Sequence, residues 1–321
     1  MMNECVTVFH GGGRDGVHRS WENFPIQVTY VSFEPEAEAH EEMVKLEEGP
    51  QDGVTFVNLN QALNDVEGRT PLHIYSSGDL SSFFEYNPDG AYRYKNINIT
   101  KIRDAFVDCT TLDKSALELG RNPDFLCLDV QGAALSVLRG GKNVLHNHVL
   151  GIRCEVEFLE LYRNQPLFGD ISTFLHQRGF RLARLERPGP GTSGLSFDSG
   201  PFSLTLDDAA PAWADAIFMR DQEWILNLQP DARAQAVLRY TLFAFANDVG
   251  PFGLELLYRL SEANLVQELS TKLSLPAQQA LKQIALRRLD LLDQSDWQKA
   301  SPLSHPYLDM RTRLRSSLTS L

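Results

Sequence analysis

Apolar residues gather in short runs that end in glycine or an acid, with helix-patterned polar stretches between them. The runs at 5–9, 26–33, 53–59, 125–129, 150–156 and 180–185 are rich in Val, Ile, Leu, Phe and Cys and predict buried strands. A further strand is expected at 69–75, after the Glu67-Gly68 turn. Helical patterning occupies 37–48, 111–119, 133–138 and 171–178, the last stopped by Gly179. Strand and helix alternating at this spacing predict an α/β domain, a parallel sheet with helices on both faces. Residues 187–213 hold Pro188, Gly189, Pro190, Gly191, Gly194 and Gly200 and read as a loop. One more short strand is expected at 216–219.

Beyond residue 229 the period changes to that of helices. Val237, Tyr240, Thr241 and Ala244 share one face, as do Leu281, Ile284, Ala285, Leu289 and Leu292. Pro230, Pro251 and Pro276 stand near the starts of such segments, where proline is tolerated. This divides the chain into an α/β domain over 1–221 and a small all-helical domain over 222–321, with a basic, frayed tail at 311–315. The helical domain offers a surface for a homodimer, a lid or a docking element.

The most informative stretch is 124–158, DFLCLDVQGAALSVLRGGKNVLHNHVLGIRCEVEF. It reads as one βαβ unit that puts Asp129 and Glu155 at the carboxyl ends of two strands, where open α/β sheets bind ligands. An acid inside an apolar run costs several kcal/mol to bury without partners, so each is a candidate catalytic group or a carboxylate tied to backbone amides. Asp129 is also placed to cap the following helix. After the first strand, Gly11, Gly13 and Gly16 satisfy G-x-G-x-x-G, which lets backbone approach a nucleotide closely. Glu34 ends the second strand some twenty residues further on, the place of an acid that accepts ribose hydroxyls. The same glycines fit a surface turn, and Glu34 a solvated acid.

The words around Asp129 resemble the FkbM family of S-adenosylmethionine (SAM)-dependent methyltransferases. Asp129-Val130-Gln131-Gly132-Ala133, Phe33-Glu34-Pro35 and the text from Glu155 through Tyr162 to Gln165-Pro166-Leu167-Phe168 carry the resemblance, which covers about residues 5–220. It implies a doubly wound, Rossmann-like seven-stranded methyltransferase sheet whose late strand is antiparallel. It implies SAM as methyl donor, with Gly11, Gly13, Gly16, Glu34, Gln61, Ser81 and Asp129 on the cofactor side. Asp129 and Glu155 become the catalytic candidates, and Gln131, Tyr162 and Gln165 the acceptor side. The expected reaction is O-methylation of a hydroxyl on a sugar, polysaccharide or natural product. Two positions depart from the family wording: His10 stands where an acid precedes the glycines, and Ala134 where Gly-Ala-Glu has its glutamate.

Composition trims the alternatives. The formal charge of −12 over 321 residues argues against nucleic acid as the main partner. The four cysteines, Cys5, Cys109, Cys127 and Cys154, lack metal-ligand spacing and read as reduced thiols, which points to the cytoplasm. No metal site is expected; His146 and His148 read as a solvated loop. No apolar run is long enough for a transmembrane segment, and the N-terminus lacks a secretory pattern. A nicotinamide-dependent oxidoreductase would also use the glycine loop and Glu34. However, none of the nine tyrosines has a lysine four residues later, as a short-chain dehydrogenase pair requires. A non-catalytic binding protein on the same fold is the third reading, motivated by His10 and Ala134.

Overall fold

The computed structural model describes residues 4–47, 53–90, 99–190, 211–294, 304–319 and 321. Chain contacts divide it into two compact units.

The first unit spans Thr7–Val17 and Thr29–Met219 and is built on a seven-stranded sheet. Its strands are β1 (Cys5–Gly11), β2 (Gln27–Phe33), β3 (Val54–Leu59), β7 (Phe125–Leu128), β8 (Gly151–Glu157), β9 (Phe180–Pro190) and β10 (Pro211–Arg220). The order across the sheet is β3-β2-β1-β7-β8-β10-β9. The chain builds outward from β1, then returns to place β7 on its other side. That reversal is the topological switch point, where the strand ends part and leave a crevice. β7 is parallel to both β1 and β8, and β10 runs antiparallel to β8.

One sheet face is apolar. Phe9, Leu126, Ile152, Cys154, Val156 and Phe218 pack there with Leu135, Val137 and Leu138 of α3 (Ala134–Arg139) and Ile171 and Leu175 of α5 (Phe168–His176). The register His10–Cys127–Arg153 crosses the other face, where buried polar groups lie among buried Val8, Phe125, Ile217 and Met219. There Arg153 is buried between Glu186 and Asp215, each 2.9 Å from its guanidinium. The Tyr30 hydroxyl lies 3.0 Å from His10 Nδ1. Cys109, Cys127 and Cys154 are buried, Cys5 is partly so, and all four are free thiols.

Several sequence expectations change. β9 and β10 reach into the stretch read as a loop; its residues 191–210 lie outside the described residues. Pro188 and Pro190 fall in β9, an edge strand, the place where a sheet tolerates proline. β10 is ten residues long rather than four, since Ala212, Ala214 and Ala216 are buried but too small to read as a strand core. A strand at Lys101–Thr110 (β6) was not foreseen. It pairs antiparallel with β5 (Gly68–Tyr75) and parallel with β4 (Ala62–Leu63), forming a separate three-stranded sheet. Most of β6 is exposed, Ile102 and Phe106 included, so it lacks the alternation of a half-buried strand.

The second unit takes in Met1–Val6, His18–Val28 and Arg220–Leu321. Its helices are α6 (Gln222–Leu226), α7 (Pro230–Ala246), α8 (Gly250–Glu262), α9 (Val266–Lys272), α10 (Leu275–Gln294) and α11 (Ser304–Thr319). Asp221 caps α6 by accepting from the Glu223 amide at 2.9 Å. α7 and α8 approach closely at Gly253, where a Cβ would stand 3.3 Å from Thr241 Cα. Trp21 is buried against Phe24 and Phe243, Ser20 Oγ donates to Asn247 Oδ1 at 3.0 Å, and Ser274 N donates to Glu4 Oε1 at 2.7 Å. These distant segments therefore belong to the helical core. Residues 311–315 are not frayed: they lie inside α11, with Leu314 buried and Arg315 2.5 Å from Asp290. His146 ends a short helix, α4 (Lys142–Asn147), rather than lying in a loop. No described helix is long and apolar enough to cross a membrane.

Candidate active site

The first unit has a cavity of about 790 Å³, open mouth included, at the switch point. Gly12 and Arg14 from the β1 loop, Glu34 and Glu36 from the end of β2, and Asp129 and Gln131 after β7 reach it. Its apolar wall includes Ala62, Leu63, Leu72 and Phe83, and Ser81 and Ser82 stand beside them.

The glycine loop touches the cavity through Gly12, not through the three glycines of the motif. Gly12 adopts φ 81°, and a Cβ there would lie 1.8 Å from the Asp129 carbonyl oxygen. Only glycine permits the β1 and β7 loops to meet so closely. Gly11 packs on Val130 and Leu63, and Gly13 on Met43 and Ser32. Gly16 ends the 3₁₀ turn, where its amide donates to the Gly13 carbonyl. These three shape the loop without lining the cavity.

Glu34 is buried at the cavity wall, and its Oε1 accepts from the Glu36 amide at 3.0 Å across Pro35. Asn60 Nδ2 donates to the Glu34 carbonyl at 2.9 Å, locking the ends of β2 and β3 together. Gln61 does not line the cavity; its neighbours Ala62 and Leu63 do, because β4 turns them inward. Ser81 lines it, with Oγ buried and, among the described residues, without a hydrogen-bond partner.

Asp129 follows β7, and its amide donates to the Gly11 carbonyl at 3.0 Å. Its side chain is exposed at the cavity and not the helix cap, since α3 starts only at Ala134 behind Ala133. Gln131, at φ 46°, gathers the acids: Nε2 donates to Asp129 Oδ1 at 2.8 Å and to Glu155 Oε2 at 3.1 Å. The Tyr162 hydroxyl lies 2.9 Å from Gln131 Oε1 and from the Leu80 carbonyl, while Ser82 Oγ donates to the Gln131 carbonyl at 2.7 Å.

The structure places Tyr162 and Gln165 away from the cavity. Tyr162 is fully buried, and Gln165 Oε1 accepts from the amides of Leu161 and Tyr162. They form the support behind Gln131 rather than a surface facing an acceptor.

Glu157 joins the acids two residues after Glu155, on the same side of β8. It is buried, and burial with the Asp129 charge pushes its pKa up to about 8, against a smaller lowering by the Gln165 amide. Glu155 is raised well above the carboxylate range by burial, then by Asp129 and Glu157. Burial lowers His10 to about 4, with Asp129 opposing, so its ring is neutral at neutral pH. The Glu-x-Glu spacing at 155–157 was the available sequence signal for Glu157.

Arg14 and Glu36 were also missed. Arg14 Nη2 lies 2.6 Å from Glu36 Oε2, and Arg103 approaches the other Glu36 oxygen at 3.4 Å, closing one rim with an ion-pair cluster. Their only signal was Arg14 inside the glycine loop and a second acid after Pro35. Among the described residues no group of three or more His, Cys, Asp or Glu side chains could hold a metal ion.

A model of the methyltransferase FkbM domain matches residues 11–182, more than half of the chain. Among solved structures, the chain is similar to methyltransferase FkbM from Methylobacillus flagellatus KT, at 10% identity and a TM-score of 0.36, over 68% of this chain; it spans 44% of that protein's length. It is also similar to Streptococcus pneumoniae Sp1610, a candidate tRNA (m1A22) methyltransferase, at 12% identity and a TM-score of 0.32, covering 98% of this chain and 92% of the other. No curated protein matches. The domain match takes in Gly11, Glu34, Asp129 and both β8 acids, and by it this chain belongs to the FkbM methyltransferase family.

Proposed function

We propose that this chain is a SAM-dependent methyltransferase acting on a hydroxyl of a sugar, polysaccharide or natural-product acceptor. The observation that carries the reading is the meeting of Glu34 and Asp129, from the ends of two different strands, at one cavity with an apolar wall. The residues present fit the cofactor. Glu34 is placed to accept the two ribose hydroxyls, and the buried Ser81 Oγ, without a partner among the described residues, offers a further polar contact. Ala62, Leu63, Leu72 and Phe83 suit a flat heteroaromatic base, and the exposed Asp129 carboxylate suits an ammonium group at the open end.

Bound SAM would supply an electrophilic methyl group on a sulfonium. The chain's own work is then positioning, which can deliver most of the acceleration for such an in-line displacement. Gln131 holds Asp129 and Glu155 in fixed relation. Glu155 does not line the cavity and meets it only through Gln131; its raised pKa moves it toward the range of a proton acceptor. The Asp129 carboxylate, exposed at the cavity, also disfavours an anionic acceptor, which supports a neutral hydroxyl.

Calorimetric titration of the purified chain with SAM and S-adenosylhomocysteine, with NAD as control, tests the cofactor. Binding of both adenosyl ligands, weakened roughly 10- to 100-fold in Glu34→Ala, is expected. Binding of NAD alone would overturn the reading. A transfer assay with methyl-labelled SAM against neutral sugars and anionic sugars then tests the acceptor class.

A further inference from the structure

The helical unit carries a second cavity, separate in sequence from the residues assigned above. Residues 19–25 form one wall, with α7 and α10 opposite, and it is a broad, open hollow of about 920 Å³, the solvent at its mouth included. Its lining is of two kinds. Leu242, Phe245 and Ile284 supply an apolar floor, while Arg19, Arg287 and Arg288 bring three guanidinium groups.

Among the described residues those cations have no ion-pair partner. Elsewhere in the unit, Arg233 meets Glu268 at 2.7 Å and Arg315 meets Asp290 at 2.5 Å. Among the described residues, none of Arg19, Arg287 and Arg288 has a carboxylate within ion-pairing distance. Arg288 Nε is moreover buried with no hydrogen-bond acceptor among the described residues. A buried donor left unmade costs free energy, and such an orphan in a native fold calls for a missing partner. The single acid of the lining, Glu22, is exposed and leaves the cavity with an excess of two positive charges. That excess sits in a chain whose formal charge is −12. Guanidinium forks match phosphate oxygens in pairs, and an apolar floor beside them suits the body of the same molecule.

We propose that this cavity is a binding site for a soluble organic phosphate, with the phosphate at the three arginines and an apolar body against Leu242, Phe245 and Ile284. The concave shape favours one small molecule over a flat membrane surface. The site is independent of the methyl-transfer reading and stands if that reading fails.

Octyl phosphate, octanol and inorganic phosphate would be titrated into the full chain by calorimetry, alongside flotation with phosphatidylcholine vesicles with and without phosphatidic acid. The expected result is saturable binding of octyl phosphate, roughly tenfold or more tighter than either half alone. The exposed pair Arg19→Glu and Arg287→Glu should abolish it while circular dichroism stays unchanged; Arg288→Lys should weaken it by loss of the fork. No octyl phosphate binding, binding insensitive to the double charge reversal, or binding only to phosphatidic acid vesicles would each overturn the proposal.

Discussion

Gln131 donates to Glu155 across 3.1 Å, joining the loop after β7 to the last turn of pleat in β8. The same amide reaches Asp129, so two acids are held close by one neutral donor. Gln131→Glu should replace that donor with a third carboxylate. The expected loss is about 1–3 kcal/mol of stability, larger at pH 8 than at pH 5 because the added charge must ionise to repel. Urea midpoints at the two pH values check this; equal losses would show that the amide does not bridge the acids.

Glu157 should make the wild-type protein less stable as the pH rises. Its folded pKa of about 8 exceeds the ordinary 4.5, so between these values the folded state holds a proton that the unfolded state has lost. Stability from this group therefore falls as pH increases through that window. Glu157→Gln keeps the shape of the neutral acid and removes the titration. The variant should match wild type near pH 4.5 and exceed it above pH 8, read as the difference in melting temperature across the series.

His10 runs the opposite way. Its pKa falls from 6.5 to about 4, so the unfolded chain takes up the proton first. Its contribution is complete above about pH 6.5 and is lost as pH falls toward 4. Ring resonances of His10 in an NMR titration should stay at the neutral position from pH 9 down to 5. Tyr30→Phe, which removes the hydroxyl 3.0 Å from Nδ1, should perturb those resonances without moving the other histidines.

Arg153 is buried with two carboxylates, and removing it takes away the cation they share, leaving Glu186 with the half-exposed Arg184 at 3.3 Å. Arg153→Met should cost about 3–5 kcal/mol in urea unfolding. Adding Glu186→Gln and Asp215→Asn should return part of that loss, because the penalty comes from two acids that have lost the cation buried with them. A triple variant no better than Arg153→Met would show that packing, not charge, is responsible.

Local pattern alone determined much of this protein. Apolar runs marked β1, β2, β7 and β8 because burial on both faces leaves no alternation to confuse, and marked the partly buried edge strand β3 by composition. The acids that end β2, β7 and β8 stood out because a carboxylate beside such a run needs a reason. The helical period after residue 229 was equally plain. Tertiary structure decided the rest. β6 is exposed, so its strand state depends on pairing with β5 and β4, which local composition does not encode. Segments around Glu4 and Trp21 join the helical unit through partners more than 200 residues away. The sequence marked Asp129, Glu155, Gln131 and Tyr162 separately. That Tyr162 supports Gln131, and Gln131 grips both acids, follows from β7 lying beside β8 and from the segment after β8 folding back beneath the loop. Periodicity reports how deeply a residue is buried; sheet order and loop closure choose the side chains it meets.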